Sequence, residues 1–174
     1  MGTITKEGIK RLHDRLNGGL FDGDLSKAFI PQIGKAHSSN EVEITTGFTG
    51  RNKLAVYETV YYGEELCSAE IRFNYSFLRE IENIADEEIK TGIIASVLLH
   101  EMIHQHLTEK GVKLAKHNIH GKQFIQDGLQ HGYQYLLGAC INDGIASNLP
   151  EQKFRHEYYD LLPVAEKVIQ SFKF

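Results

Sequence analysis

The sequence predicts an α+β domain built on a small antiparallel or mixed sheet. Three observations carry that expectation. Segments of period-two alternation gather in the first half of the chain. Segments of helical period dominate the second half. The 41% hydrophobic and 24% charged residues match an ordinary globular chain and exclude a disordered or collagen-like one. At 174 residues the expected organisation is a single domain over 1–174. A motif-bearing core covers about 5–135 and a helical C-terminal extension about 150–174. Folding at this length buries roughly 70% of the extended chain's surface, so no disulfide is needed.

The elements follow in order. Thr5 to Leu16 carries Ile9, Leu12 and Leu16 on one stripe of an amphipathic helix, and Asn17, Gly18 and Gly19 are expected to stop it. Phe21 to Asp24 reads as a turn. Phe29 to Ile33 is a short apolar strand, with Pro31 marking an edge or a start. Val42 and Ile44 alternate with polar residues, and Leu54, Val56 and Val60 share one parity. The clearest strand is Cys67 to Tyr75, whose odd-numbered residues are mostly apolar. It is expected to be a sheet edge, with Cys67 as a small core residue and Tyr57, Tyr61 and Tyr62 as sheet packing. Asp86 then caps a helix with Glu87 and Glu88 in its first turn, running to about Leu107 with Gly111 just beyond. A second helix begins near His120 and carries Phe124, Ile125, Leu129 and Tyr133. Pro150 and Pro163 suit first-turn positions of one or two C-terminal helices.

Composition also narrows the function classes. A net charge of −4 argues against a strong stand-alone grip on nucleic acid, which depends on Lys and Arg neutralising phosphates. Two cysteines cannot build a disulfide framework, and no C-x-x-C exists for a zinc ribbon. The longest apolar run, Gly92 to Leu99, falls far short of the roughly 20 residues that span a bilayer. The N-terminal residues lack the apolar core of a signal peptide, so the expected location is cytoplasmic.

The nine histidines matter through their positions. His100-Glu101-Met102-Ile103-His104 is an H-E-x-x-H motif inside the long helix. A four-residue spacing is about one turn, so both imidazoles leave the same face. Two neutral imidazoles so placed can share one Zn²⁺ at about 2.0–2.1 Å each. Glu101 lies beside the metal, where it can take a proton from a water acidified by the ion and return it to a leaving amine. A catalytic zinc needs a third protein ligand and an open position. Lys110 occupies the place where one metalloprotease class has its third His, Glu109 is too close to fold back, and His106 faces elsewhere on the helix. His117, His120, Asp127 and His131 remain. His120 is the first choice, because Gly121 permits close backbone approach and Phe124 would anchor the new helix in the core. His131 is the second.

The H-E-M-I-H motif, a charged spacer and the H-G-x-x-F run at His120 to Phe124 together resemble the SprT-like metalloproteases, which include the Spartan proteases. Leu16-Asn17, Leu20-Phe21, Gly23 and Leu25 look like that family's N-terminal pattern, L-N-x-x-L-F-x-G-x-L. The strand at Ile71 to Asn74 resembles the segment before its active helix, so the likeness spans roughly Ile9 to Phe124. The resemblance implies a zincin-like metalloprotease domain with zinc on His100, His104 and His120 and with Glu101 as the catalytic base. It also implies a protein substrate, and in the Spartan branch one crosslinked to DNA. No zinc ribbon follows Phe124, unlike many members.

Lys110, Lys113, Lys116, His117 and Lys122 crowd the spacer, so Lys110, Lys113 and Lys116 are candidate nucleic-acid contacts beside the cleft. A solvated loop is the plainer reading of the same charges. Tyr133 and His131 are candidate donors to the oxyanion that develops on an attacked carbonyl. Two other functions compete with a peptidase: a catalytically silent zinc-stabilised binding module, and a hydrolase of another amide bond.

Overall fold

The computed structural model describes residues 3–32, 41–50, 53–113, 119–134 and 160–174. It is an α+β fold with a four-stranded mixed sheet. In chain order the elements are α1 (Lys6–Leu20), β1 (Lys27–Phe29), β2 (Glu41–Gly47), β3 (Ala55–Tyr62) and β4 (Glu65–Asn74). Helices α2 (Tyr75–Glu82), α3 (Glu87–Glu109), α4 (Lys122–Gln130) and α5 (Pro163–Ile169) follow. No helix among the described residues is long and apolar enough to cross a membrane.

The sheet order is β1-β2-β4-β3, with β1 parallel to β2, β2 parallel to β4, and β3 antiparallel to β4. The strand expected at the edge, β4, is therefore interior, and the edge beside it is β3. Alternation predicts which face is buried but carries no information on lateral order. The face assignment of β3 also differs from expectation. Its register pairs Ala55 with Phe73 and Tyr57 with Ile71 on the core face. Val56 and Glu58 pair with Arg72 and Glu70 on the other. That outer face carries a polar ladder in which Arg72 bridges Glu70 at 2.6 Å and Glu58 at 3.1 Å, and Thr45 donates to Glu70. Cys67 is exposed rather than core, and Val60, Tyr61 and Tyr62 are exposed too, because the β3–β4 hairpin runs out beyond the helices. Tyr57 packs against the core as expected.

Helix α1 begins on its Thr5 cap, whose hydroxyl accepts from Gly8 N, and runs through the anticipated stop to Leu20. Tertiary packing overrides the weak helix preference of Gly18 and Gly19. A Cβ on Gly19 would lie 2.7 Å from Val168 of α5, so the bare backbone is what lets the two helices meet. Asn17 is buried because its side chain donates to Leu25 O and accepts from Leu25 N, pinning the turn that follows. Strand β4 ends one residue early, since the Asn74 side chain caps α2 by accepting from Ser76 N. Its apolar stripe of Phe77, Leu78 and Ile81 seals that end of the core. Helix α3 starts on Asp86, whose Oδ1 accepts from Glu88 N and Ile89 N. Most of its length is buried, packed against β3, α1, α4 and α5. Pro163 opens α5 as expected; Pro150 lies outside the described residues.

Candidate metal centre

Helix α3 delivers His100, Glu101 and His104, and the turn into α4 delivers His120. Gly121, the extended N-cap of α4, follows His120 directly, so the helix start points that imidazole back at α3. The Nε2 atom of His120 lies 3.0 Å from Nε2 of His100 and 3.1 Å from Nε2 of His104. Phe124, fully buried one turn into α4, forms the floor. Its ring centroid is 4.9, 4.6 and 4.8 Å from those of His100, His104 and His120.

The donor set fits a metal ion. A neutral imidazole has one N–H and one bare nitrogen. His120 Nε2 faces two imidazole nitrogens, so a linear N–H···N bond can serve only one of them. The second contact is then poorly aligned, whereas a cation among the three nitrogens would satisfy all of them. Protonation is no remedy, because all three imidazoles are held toward the neutral form. Burial pushes His100 far below the ordinary value, and the charges of His104 and His120 add to it. Burial, with the charge of His120, lowers His104 to about 3. Burial alone lowers His120. Neutral imidazoles are the form that binds metal. Tetrahedral bonds of about 2.0–2.1 Å place nitrogen donors about 3.3 Å apart, close to the separations here.

One side of this centre opens on a cleft of about 500 Å³. Its walls are β3 with the residues before it, from Lys53 to Thr59, and the face of α3 that carries Val97, His100, Glu101, His104 and Thr108. Ile119 and His120 close the third side. Glu101 is 7% exposed and lines the same cleft as the three imidazoles. Tyr57, on the opposite wall, stays a neutral phenol, because burial and the charge of Glu109 raise its pKa.

The other sequence candidates fall in different places. Tyr133 is buried, and its hydroxyl lies 3.0 Å from Nδ1 of His100, the ring nitrogen that does not face His120. It is not among the residues lining the cleft. His131 belongs to a second group on the other side of α3 with His106 and Asp127, whose ligand-type atoms lie within 4.8 Å of one another. There His106 Nδ1 meets Asp127 Oδ2 at 2.7 Å, and His131 Nδ1 donates to the Asp127 carbonyl at 2.8 Å. Phe21 stacks on His131 at 4.3 Å. These contacts staple α3 to α4 and to the turn after α1. Lys110 caps the C-terminal end of α3 and Lys113 follows it, both exposed; Lys116 lies outside the described residues. Asp160, 1% exposed and accepting from the Tyr133 hydroxyl at 3.4 Å, had no sequence signal, since 27 residues separate the pair.

Comparisons with protein-family models, with curated proteins and with solved structures find no match to this chain.

Proposed function

We propose that this protein is a zinc-dependent metallopeptidase of the zincin type, similar to the SprT-like proteases, that hydrolyses peptide bonds in protein substrates. The observation that carries the reading is the convergence of His100, His104 and His120 at the wall of a cleft that Glu101 also lines. Those three imidazoles would hold the ion, and three neutral nitrogens suit zinc. A bound zinc supplies Lewis acidity, polarising a carbonyl and acidifying water.

The remaining work falls to the chain. Glu101 takes the proton of the attacking water and passes it to the departing amine, so the carboxylate is regenerated at each turnover. A purely structural metal site has no use for such a base, which argues against a silent binding module. The edge strand β3 orients the substrate: an extended peptide can add to its outer side and run along the cleft past the three imidazoles. Backbone pairing of this kind reads no particular sequence, which suits unfolded protein segments. Lys110 and Lys113, at the C-terminal end of α3, and Lys122, at the start of α4, are described basic residues beyond the motif. A protein bound or crosslinked to DNA is the substrate class they would favour.

The test is cleavage of an unfolded model protein by the zinc-loaded chain, with and without single-stranded DNA, beside Glu101→Gln. The expected result is cleavage by the wild type and loss of at least a hundredfold in Glu101→Gln. Stimulation by DNA that Lys110→Glu with Lys113→Glu removes would add the DNA-linked substrate. Cleavage that Glu101→Gln leaves intact would overturn the assignment.

A further inference from the structure

We propose that Tyr133 and Asp160 are positioning residues that fix the tautomer and ring orientation of His100. In this arrangement the C-terminal segment completes the metal centre. The inference rests on the three-histidine centre described above and assigns residues to it that do not touch the ion.

A carboxylate only accepts, and Asp160 Oδ2 lies 3.4 Å from the Tyr133 oxygen, so the phenol donates to it. The phenol's proton is then committed, and its oxygen is left as an acceptor toward Nδ1 of His100 at 3.0 Å. In this arrangement Nδ1 carries the imidazole's proton. Nε2 is bare, and it is Nε2 that faces His120. The chain Asp160–Tyr133–His100 thus presents a lone pair where a metal needs one. A carboxylate behind a ligand also raises the basicity of that ligand.

The backbone holds this chain in place. Tyr133 and Leu161 form an antiparallel bridge. Gln134 N donates to Asp160 O at 2.6 Å and Leu162 N to Gly132 O at 2.8 Å. Both side chains are 1% exposed, so water does not compete for the phenol. The segment carrying Asp160 is anchored in turn on α1: Val168 packs on Gly19, and the Arg15 guanidinium donates to Gln170 O at 2.8 Å. Helix α1, α5 and the metal-binding face of α3 are in this way joined through two polar side chains.

Two measurements on the full chain test the proposal. The first is zinc affinity by chelator competition for wild type, Tyr133→Phe, Asp160→Asn and His104→Ala. The second is the imidazole tautomer of His100 in the metal-free chain, read from long-range nitrogen–proton NMR correlations. Wild type should bind one zinc and show His100 protonated at Nδ1. Tyr133→Phe should shift that tautomer and weaken zinc about 10–100-fold, with a smaller loss in Asp160→Asn. If both variants keep the wild-type affinity within twofold and the tautomer is unchanged, the positioning role is wrong while the metal centre stands. If wild type binds no zinc, or His104→Ala binds it equally well, the centre itself is wrong and this inference falls with it.

Discussion

Replacing Phe124 by Ala should damage stability and metal binding together, because one ring supports all three imidazoles. The side chain has no solvent exposure, and its ring lies within 5 Å of those of His100, His104 and His120. Truncating a buried Phe to Ala costs about 3–5 kcal/mol in lost burial and residual cavity. In a chain of this length each kcal/mol lowers Tm by about 2–4 °C, so the metal-free variant should melt roughly 6–20 °C below wild type. Over most of the ordinary stability range of about 5–15 kcal/mol the fold survives that loss near room temperature, so its metal affinity can still be measured. With the floor removed, the imidazoles relax into the cavity and zinc affinity should fall by at least tenfold. Zinc at a hundred times the wild-type Kd stabilises the wild type by about 2.7 kcal/mol. The same concentration should stabilise the variant much less. The assay is thermal unfolding with and without zinc. A metal-free Tm within about 3 °C of wild type would refute the packing argument, and an unchanged zinc-induced rise would refute the coupling to the imidazoles.

Three further outcomes follow from the same geometry. The metal-free chain should lose stability as pH falls below about 6.5 and go on losing it toward about 3. The unfolded chain protonates its imidazoles near the ordinary value, while burial delays protonation of His100, His104 and His120 in the folded chain, so the unfolded state binds more protons in that window. Denaturant melts in chelator between pH 4 and 7.5 check this, and a flat profile would contradict it. Gly132→Ala should destabilise by about 2–3 kcal/mol, because φ is +85° there and a Cβ would lie 2.9 Å from that of Ala165. Gly23→Ala, at φ +79° with open space around it, should cost about 1 kcal/mol, and equal Tm losses in the two would discount the clash. In Glu101→Gln protein saturated with an unfolded peptide, hydrogen exchange should slow in β3 and not in the interior strand β4. Unchanged β3 exchange would exclude the edge-strand docking mode.

The parts of this fold that local chemistry dictates are legible in the sequence. Asp86 and the two glutamates after it announce the start of α3, and the spacing of His100 and His104 places both rings on one face. His120 was legible as a partner because Gly121 and Phe124 give it a turn and an anchor. What failed depended on neighbours far along the chain. Gly18 and Gly19 read as a helix stop, yet α5 packs against that stretch and the helix continues. The alternation of β4 runs on through Tyr75, but the Asn74 side chain caps a helix there. Lateral strand order is invisible to alternation, and β3, not β4, forms the edge. Val60, Tyr61, Tyr62 and Cys67 have the composition of a packed strand and sit on a hairpin that overruns the core. Asp160 carries no motif at all, and only the folded backbone brings it to Tyr133.

X-ray absorption at the zinc edge of the zinc-loaded chain tests the central claim most directly. The account predicts one zinc per chain, with multiple-scattering features of three imidazoles at about 2.0–2.1 Å and a remaining light-atom ligand. In His120→Ala one imidazole should disappear from that signature and affinity should drop. A spectrum without three imidazoles, or one that His120→Ala leaves unchanged, would contradict it.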